Sequence, residues 1–226
     1  MTKNEIVNIA KTHLAQFHTK PGAILYSSHE TLKPGSVYLL GFNPGGSGGP
    51  HLNQSIEKLL TNEENSYLDE CWANKRGTWK EGEAPLQERV CWVLENLGLN
   101  PREVCASNLI FLQSQKAIDI DYALADICWP VHEALLEIVK PRMILVFGNS
   151  VLSPYGYLHS KYGGEQDYIP SGHGNWKIKC FRCVIGGKDS IVAGLPHLSR
   201  YKPIGKKHVI QQLNVWLHEQ PPPTKK

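Results

Sequence analysis

The sequence has no apolar run close to the roughly 18 residues that a membrane-spanning helix needs. It also has little net charge, since 24 basic and 21 acidic side chains leave a formal charge of +3 among 226 residues. This balance does not mark a nucleic-acid-binding protein, although it allows one if the positive charge is gathered on one face. We therefore expect a soluble, cytoplasmic protein that does not act at a membrane.

Cysteine is sparse, and its six positions lie in apolar segments, which is typical of reduced, mostly buried thiols. Cys180 and Cys183 have the spacing found in zinc and redox sites. No second pair with that spacing exists, and the residues around them read as a strand, which would place the two thiols on opposite faces. The sequence therefore predicts no metal site, and we expect no cofactor.

The chain also lacks internal repeats and long polar linkers, so residues 1–219 are predicted to form one domain. Residues 220–226 are rich in proline and lysine and are predicted to be a flexible tail. Residues 2–17 carry apolar side chains at helical spacing, which favours an amphipathic helix over a signal peptide.

Short apolar runs alternate with amphipathic segments along the rest of the chain. Further helices are predicted at residues 52–60, 85–97, 122–139 and 204–217, and strands at residues 36–40, 104–111, 143–147 and 190–194, with residues 176–185 also extended. Strands that are almost entirely apolar are expected to be covered by helices on both faces. This order predicts an α/β protein, a three-layer α/β/α sandwich around a central, mainly parallel four-stranded sheet.

The segment after the first predicted strand has almost no side chains, because Pro44 and four glycines fill most of residues 44–49. Such a backbone lets N–H groups approach a ligand closely. It is not a phosphate loop, because no lysine follows the glycines, and the glycine spacing does not fit a dinucleotide site. The alternative is a plain turn between strand and helix.

In open α/β sheets, ligands bind at the carboxyl ends of the strands. The predicted strands would bring Asn43, Asn108, Asn149 and His197 to that edge, without a carboxylate or a serine or cysteine nucleophile. An amide oxygen can hold a water, and an imidazole can donate to a group that becomes negative. These groups suit the loss of a stabilised anion, as in hydrolysis of the N-glycosidic bond of uracil. The alternative for His197 is an ordinary core or surface histidine.

Residues 41–45, Gly-Phe-Asn-Pro-Gly, resemble the first motif of the uracil-DNA glycosylase superfamily, in the form found in its mismatch-specific and single-strand-selective branches. The resemblance implies that Asn43 positions the attacking water. It also implies a substrate-binding role for the neighbouring and following residues Gly41, Phe42, Gly45, Gly46 and His51.

Residues 195–200, Leu-Pro-His-Leu-Ser-Arg, resemble the second motif of that superfamily, in which most branches place the histidine that stabilises the departing base, here His197. Two alignments remain open. Residues 197–199 can match the His-Pro-Ser sequence, or residues 198–200 can match the Leu-Ser-Arg wedge of the mismatch branch, with Leu198 filling the gap left by a flipped nucleotide. Residues 107–110 resemble the strand whose asparagine reads the uracil edge, which implies that role for Asn108.

The resemblance implies a uracil-DNA glycosylase-like fold and the removal of uracil or another deaminated base from single- or double-stranded DNA during base excision repair. It implies a cofactor-free monomer, associated with the nucleoid or located in a nucleus. The DNA-binding residues would be the backbone of residues 45–49 together with Leu198, Ser199, Arg200, Lys202 and Lys206.

Several features depart from the family pattern. No aromatic side chain except His51 follows the first motif closely, so Tyr67, Trp72 or Trp79 would have to stack on the base. The second motif lacks its usual proline, and the cysteines do not match the iron–sulfur branches. Residues 65–83 and 155–175 are long insertions relative to a minimal fold. Two other functions stay open: a catalytically silent protein that binds a base, a nucleotide or DNA, and a hydrolase of free nucleosides or nucleotides.

Overall fold

The computed structural model describes residues 1–35, 37–74 and 77–218. The predicted tail at residues 220–226 and the first residue of the predicted strand 36–40 lie outside these ranges. The helices are α1 (Lys3–His13), α2 (Leu52–Glu57), α3 (Pro85–Asn96), α4 (Leu124–Val139), α5 (Pro154–Tyr162) and α6 (Lys207–His218). The strands are β1 (Val37–Gly41), β2 (Ala73–Asn74), β3 (Gly77–Thr78), β4 (Cys105–Asn108), β5 (Met143–Phe147), β6 (Gln166–Pro170), β7 (Lys177–Ile185) and β8 (Lys188–Leu195).

The central sheet has the strand order β4-β1-β5-β8-β7-β6. Its first four strands are parallel, and β7 and β6 are added in antiparallel orientation. The prediction of a four-stranded sheet is therefore wrong, because the sheet has six strands and is mixed. The physical reason is a hairpin: Gly186 and Gly187 both have positive φ, 58° and 75°, and form the two-residue turn that folds β7 back along β8.

Helices cover both faces of this sheet, and the protein is an α/β protein with a mainly parallel central sheet, as predicted. One apolar cluster, which we call the first face, joins the sheet to α1, α2, α4 and α5. The second face joins it to α3 and α6. Strand β1 is buried along its whole length, as expected for a strand between two helical layers.

The two closely spaced cysteines lie on opposite faces of β7, which confirms the prediction from the strand pattern. Cys180 is buried in the cluster of the second face, whereas Cys183 packs against the first face. Within residues 1–35, 37–74 and 77–218, no group of three or more potential metal ligands is assembled. In the same ranges, none of the helices combines the length and the apolar character needed to cross a membrane.

Candidate active site

The four parallel strands end at one edge of the sheet and bring the predicted site residues there. Asn43 lies two residues after β1 and His197 two residues after β8, and only β5 separates these strands. Because neighbouring strands lie about 4.8 Å apart, the axes of β1 and β8 are about 10 Å apart. Gly148 follows β5 between them, and a β-carbon on Gly148 would lie 3.7 Å from Cδ2 of His197.

The carboxamide of Asn43 has a fixed orientation. Its Nδ2 donates to the carbonyl oxygens of Pro44 (2.9 Å) and Leu112 (3.3 Å) and to Oγ of Ser114 (2.9 Å). A flipped amide would place an oxygen against two carbonyl oxygens, so the observed orientation is set by the network. Oδ1 accepts no hydrogen bond from the residues that the structure describes, and it remains available as an acceptor.

The hydrogen bonds of the His197 imidazole leave a donor free, whereas those of Asn43 leave an acceptor free. The backbone N–H of Ser199 donates to Nδ1 at 3.1 Å, so Nδ1 is an acceptor and the proton of the neutral ring is on Nε2. The Ser199 hydroxyl lies 2.8 Å from the same nitrogen. Burial, and secondarily the positive charge of Arg200, hold the pKa of His197 below its ordinary value. The ring therefore presents a neutral Nε2–H donor at this edge of the sheet.

Asn108 lies at the end of β4 beside β1. Its side chain packs so closely over Gly41 that a β-carbon there would lie 2.1 Å from Oδ1 of Asn108, which explains the glycine in the first motif. Asn108 is 4 % exposed, and its Nδ2 is buried without a hydrogen-bond partner of normal geometry in the described part of the chain. A buried donor without a partner lowers the stability of the fold. Such donors are often found where a ligand supplies the missing acceptor.

Tyr26 is the aromatic residue beside Asn108. Its backbone N–H donates to the carbonyl of Ala106 and places the ring next to the end of β4. Burial and then the carboxylate of Glu70 raise the pKa of Tyr26, an effect that the Asn108 amide partly offsets. From Tyr26, an aromatic row continues to Tyr67 and Trp72, with ring centroids 5.8 Å apart at each step.

The other aromatic candidates have different positions. Tyr67 is buried in the second face, and Trp79 is partly exposed and directly follows β3. Phe42 faces the opposite side of the sheet, where its ring stacks on Tyr122 with centroids 6.2 Å apart. His51 is exposed at the start of α2. Tyr26, which the sequence analysis did not single out, is the aromatic side chain of this set that interacts with Asn108.

The glycine-rich loop is exposed but tied down by one side chain. Gln113 Nε2 donates to the carbonyl of Gly45 (2.8 Å), and Gln113 Oε1 accepts the N–H of Gly49 (2.9 Å). Gly46 and Gly48 have φ of 86° and 75°, which a side chain would strain. Among residues 45–49, whose backbone was expected to hold DNA, Gly49 therefore has its N–H occupied by Gln113 in this conformation.

The second motif forms a turn that α3 holds in place. Arg89 Nη1 donates to the carbonyl oxygens of Leu198 (2.6 Å) and Ser199 (3.1 Å). The N–H groups of Arg200 and Tyr201 both donate to the carbonyl of His197 at 2.9 Å. The turn thus fixes the position from which His197 projects.

Leu198 is fully buried in the cluster of the second face. The expectation that it fills the gap left by a flipped nucleotide does not fit this conformation, because the side chain already packs in the core. His197 and Ser199, the first and last residues of the other proposed alignment, are in direct contact through Nδ1 of the imidazole.

The polar residues predicted to bind DNA differ in how exposed their side chains are. Ser199, Arg200 and Lys202 are exposed. Lys206 is half-buried, with its Nζ 4.9 Å from the ring centroid of Tyr201 and donating to the carbonyl of Lys202. Arg200 and Lys202 are therefore freer than Lys206 to contact a phosphate.

Four positioning residues were missed by sequence reasoning: Tyr26, Arg89, Gln113 and Ser114. Gln113 and Ser114 follow a predicted strand directly, which was a usable signal. Arg89 is 109 residues from Leu198 in the chain, and no local sequence pattern predicts such a contact.

Two cavities lie away from this edge. One, of about 720 Å³, opens between α1, α4 and the β7–β8 hairpin, and one of about 400 Å³ lies beside Lys80 and Glu83. Neither is lined by Asn43, Asn108 or His197.

The sequence was also compared with known proteins. No protein-family model matches it, and no curated protein matches it significantly. The geometry at the strand ends is therefore the main basis on which a function can be argued.

Proposed function

We propose that this protein is a DNA glycosylase of the uracil-DNA glycosylase type, which hydrolyses the N-glycosidic bond of uracil or another deaminated base. One observation carries the proposal: two groups of fixed and opposite polarity lie at the same sheet edge. Asn43 offers an acceptor oxygen, and His197 offers a neutral N–H donor. The four-strand parallel part of the sheet, to which both groups belong, supports the glycosylase-like fold.

Hydrolysis needs a water at C1′ of the sugar and a stabilised leaving base. Oδ1 of Asn43 accepts a hydrogen bond from the water and orients it. As the C1′–N1 bond breaks, its electron pair stays on the base, the sugar becomes oxocarbenium-like, and the water oxygen bonds to C1′ and releases a proton to solvent. Nε2–H of His197 donates to O2 of the departing anion, which stabilises the charge without protonating the base.

Asn108 supplies base recognition in this proposal. Its buried Nδ2 interacts with Tyr26 but has no hydrogen-bond partner of normal geometry in the described part of the chain, and it is a donor that matches the O4 carbonyl of uracil and not the amino group of cytosine. The Tyr26 ring beside it offers an aromatic surface for the base. Both contacts favour an extruded pyrimidine over a base that remains in the duplex.

Phosphate contacts come from exposed cations beside the same edge. Arg200 and Lys202 follow His197 directly, and both side chains are exposed. Such contacts predict an affinity for DNA that falls steeply with salt.

The test is a glycosylase assay on oligonucleotides that carry uracil, hypoxanthine or xanthine, in single strands and opposite G or A, with alkali cleavage at the abasic product. We expect product from at least the uracil substrates and a large loss in Asn43→Ala and His197→Ala. Asn8→Ala on the exposed face of α1 and His208→Ala at an exposed position in the first turn of α6 are matched controls. No product from any substrate would overturn the proposal, as would equal rates for wild type and Asn43→Ala.

A second candidate is binding without hydrolysis. It is favoured by the absence of an aromatic side chain from the described residues 46–52, apart from the exposed His51. Retained, salt-sensitive binding of uracil-containing DNA with no abasic product would support it. Hydrolysis of free nucleosides, the third possibility, predicts an activity that is indifferent to Arg200→Ala and Lys202→Ala.

A further inference from the structure

The loop between β6 and β7 presents two aromatic side chains at the edge of the sheet that carries the candidate active site. Trp176 is 40 % exposed, and His173 is exposed beside it. Their rings pack edge to face with centroids 4.7 Å apart. Tryptophan is highly buried on average, so a tryptophan whose ring is held in place but left partly uncovered is a candidate contact for a ligand.

Hydrogen bonds within the loop fix its shape. The N–H of Ser171 donates to the carbonyl of Trp176 (3.0 Å), and the N–H of Trp176 donates to the carbonyl of His173 (3.1 Å). The Oγ of Ser171 accepts the N–H of His173 at 3.3 Å. The exposure of the two rings is therefore a property of the folded loop and does not result from a loose segment.

Direct contacts place this loop against the turn that carries His197. The Tyr201 hydroxyl donates to the carbonyl of Ser171 (2.6 Å), and the N–H of Tyr201 donates to the carbonyl of His197 (2.9 Å). A β-carbon on Gly172 would lie 3.2 Å from Cδ of Lys206. The aromatic pair therefore lies beside the segment that follows His197.

The register of the sheet gives the same placement. Strands β7 and β8 are neighbours, and the last pair of their ladder at this edge joins Lys179 to Gly194. Trp176 lies three residues before Lys179, and His197 lies three residues after Gly194. Both residues therefore extend to the same level beyond the sheet, from adjacent strands whose axes are about 4.8 Å apart.

The two stretches of chain that meet here bring no negative charge. None of the 21 acidic residues lies within residues 168–188, which contain the loop, or within residues 190–218, which contain the segment after His197. Each stretch carries four lysine or arginine residues, and Arg200 and Lys202 among them are exposed. An aromatic pair beside exposed cations is suited to a polyanion that also carries flat rings, which is the chemistry of a nucleic acid.

We propose that Trp176 and His173 form a stacking site for an unpaired base of single-stranded DNA, beside the nucleotide that is hydrolysed. Arg200 and Lys202 hold the adjoining phosphates. Unpaired bases offer their faces to aromatic rings, whereas the faces of paired bases are covered by their neighbours within a duplex. The inference rests on the proposed function and deepens it, because it assigns single strands as the preferred substrate.

The test compares two oligonucleotides of equal length without uracil: oligothymidylate, and an oligomer of tetrahydrofuran nucleotides, which keeps the phosphates but has no bases. Binding is measured by fluorescence anisotropy of an end-labelled strand. Wild-type protein should bind oligothymidylate roughly tenfold more tightly than the abasic oligomer, and Trp176→Ala should remove this difference. Trp176→Phe should retain most of it, because an aromatic ring remains.

Tyr168→Ala is the matched control. Tyr168 is 53 % exposed on the same hairpin, but it precedes Ile169, which is buried in the second face, and therefore projects from the first face. Trp176 lies two residues before Ile178, which is also buried in the second face, so the two aromatic side chains belong to opposite faces. The Tyr168→Ala variant should bind both oligomers as wild type does.

The salt dependence separates stacking from phosphate contact. Lys202→Ala should weaken the binding of both oligomers alike and lower the slope of log affinity against log salt concentration by about 0.7. Trp176→Ala should leave this slope unchanged, because no charge is removed. A slope that falls equally in both variants would contradict the stacking role.

Neither oligomer contains a base that the proposed activity removes, so the two proposals can fail separately. Base-dependent binding that is lost in Trp176→Ala, from a protein that forms no abasic product on uracil substrates, would support the stacking site and overturn the glycosylase. Active protein whose Trp176→Ala variant still distinguishes the two oligomers would overturn the stacking site alone. Wild-type protein that binds both oligomers equally, or binds neither, would also overturn it.

Discussion

At the scale of single residues, the site depends on which atom of each side chain is left free. The three acceptors around Nδ2 of Asn43 fix its amide, and the N–H of Ser199 fixes the tautomer of His197. Neither group needs to titrate for the proposed reaction. Their contributions can therefore be separated by changes that alter polarity and leave size nearly constant.

Asn43→Ala should lower the single-turnover rate of base release by roughly 100-fold, because the water loses its acceptor. Asn43→Asp should retain part of the rate, since a carboxylate oxygen can replace Oδ1 while the contacts to Pro44 and Leu112 become unfavourable. Rates are measured with enzyme in excess over substrate. A loss that is equal for Ala and Asp would show that the oxygen is not the functional atom.

The pH dependence should follow the lowered pKa of His197. Because burial and Arg200 favour the neutral ring, the donor at Nε2 and the acceptor at Nδ1 are both retained down to the ordinary histidine pKa of about 6.5. We expect a rate that is constant from about pH 8 to that value and falls only at more acid pH, where protonation breaks the contact with the Ser199 N–H.

An NMR titration of the His197 ring measures this pKa directly. Arg200→Ala should raise it, because the repulsion between the two positive charges is removed. A pKa that is unchanged in this variant would contradict the assigned cause, and a ring that titrates above 6.5 would contradict the prediction.

At the scale of elements, the helices and strands that were predicted correctly are those with a clear local pattern of apolar residues. Strand β5 was predicted with its observed bounds, and helices α3 and α4 within two residues. Residues 155–175 were expected to be an insertion, yet α5 and β6 occupy much of this range. Ser153 and Pro154 were available as the cap and first-turn signals of α5. Strand β6 is an edge strand whose place is set by its partner β7, and such pairing leaves little trace in local composition.

In the candidate site, too, local sequence patterns identified some residues, whereas contacts between distant parts of the chain could not be predicted. Residues just after the strand ends could be found from the sequence, because parallel strands align their carboxyl ends. The burial of Leu198 could not, since Leu198 lies in a loop and is covered by residues far away in the chain. The contact with Arg89 is equally long-range.

Arg89 acts on the turn that carries His197, so its loss should affect orientation more than affinity. Arg89→Ala removes two charge-assisted hydrogen bonds to backbone carbonyls and should lower kcat by roughly tenfold with a smaller change in KM. Arg102→Ala, which breaks the exposed ion pair with Asp69, is the matched control.

A double-variant experiment distinguishes this positioning role from a general loss of stability. In a His197→Ala background, Arg89→Ala should cause little further loss of kcat, because the group that it positions is gone. Full additivity of the two losses would contradict the prediction.

At the scale of the whole molecule, a buried histidine links the sheet to α4 and couples stability to pH. His132 is fully buried, with Nδ1 2.8 Å from the Tyr38 hydroxyl and Nε2 3.1 Å from the carbonyl of Leu109. Burial lowers the pKa of His132 from 6.5 to about 4, against weaker opposing effects of nearby backbone carbonyls. Between these values the unfolded chain binds a proton that the folded chain does not bind.

The free energy of unfolding should therefore fall as the pH drops from about 6.5 to about 4, and this one group contributes about 3 kcal/mol across the window. Urea unfolding at pH 7 and pH 4.5 measures the change. His132→Gln should be less stable at pH 7 but should show a shallower loss towards acid pH. An identical acid dependence in wild type and variant would show that other groups dominate it.

The two hydrogen bonds from Gln113 to the glycine-rich loop affect how this exposed loop binds a ligand. Five residues with four glycines would sample many shapes as a free chain, and a ligand would have to select one of them. Because Gln113 ties Gly45 to Gly49, the loop is closed at both ends and loses this conformational entropy when the protein folds. Ordering the loop then subtracts little from the affinity of whatever binds there, so the glycine-rich segment behaves as a preorganised surface despite its composition.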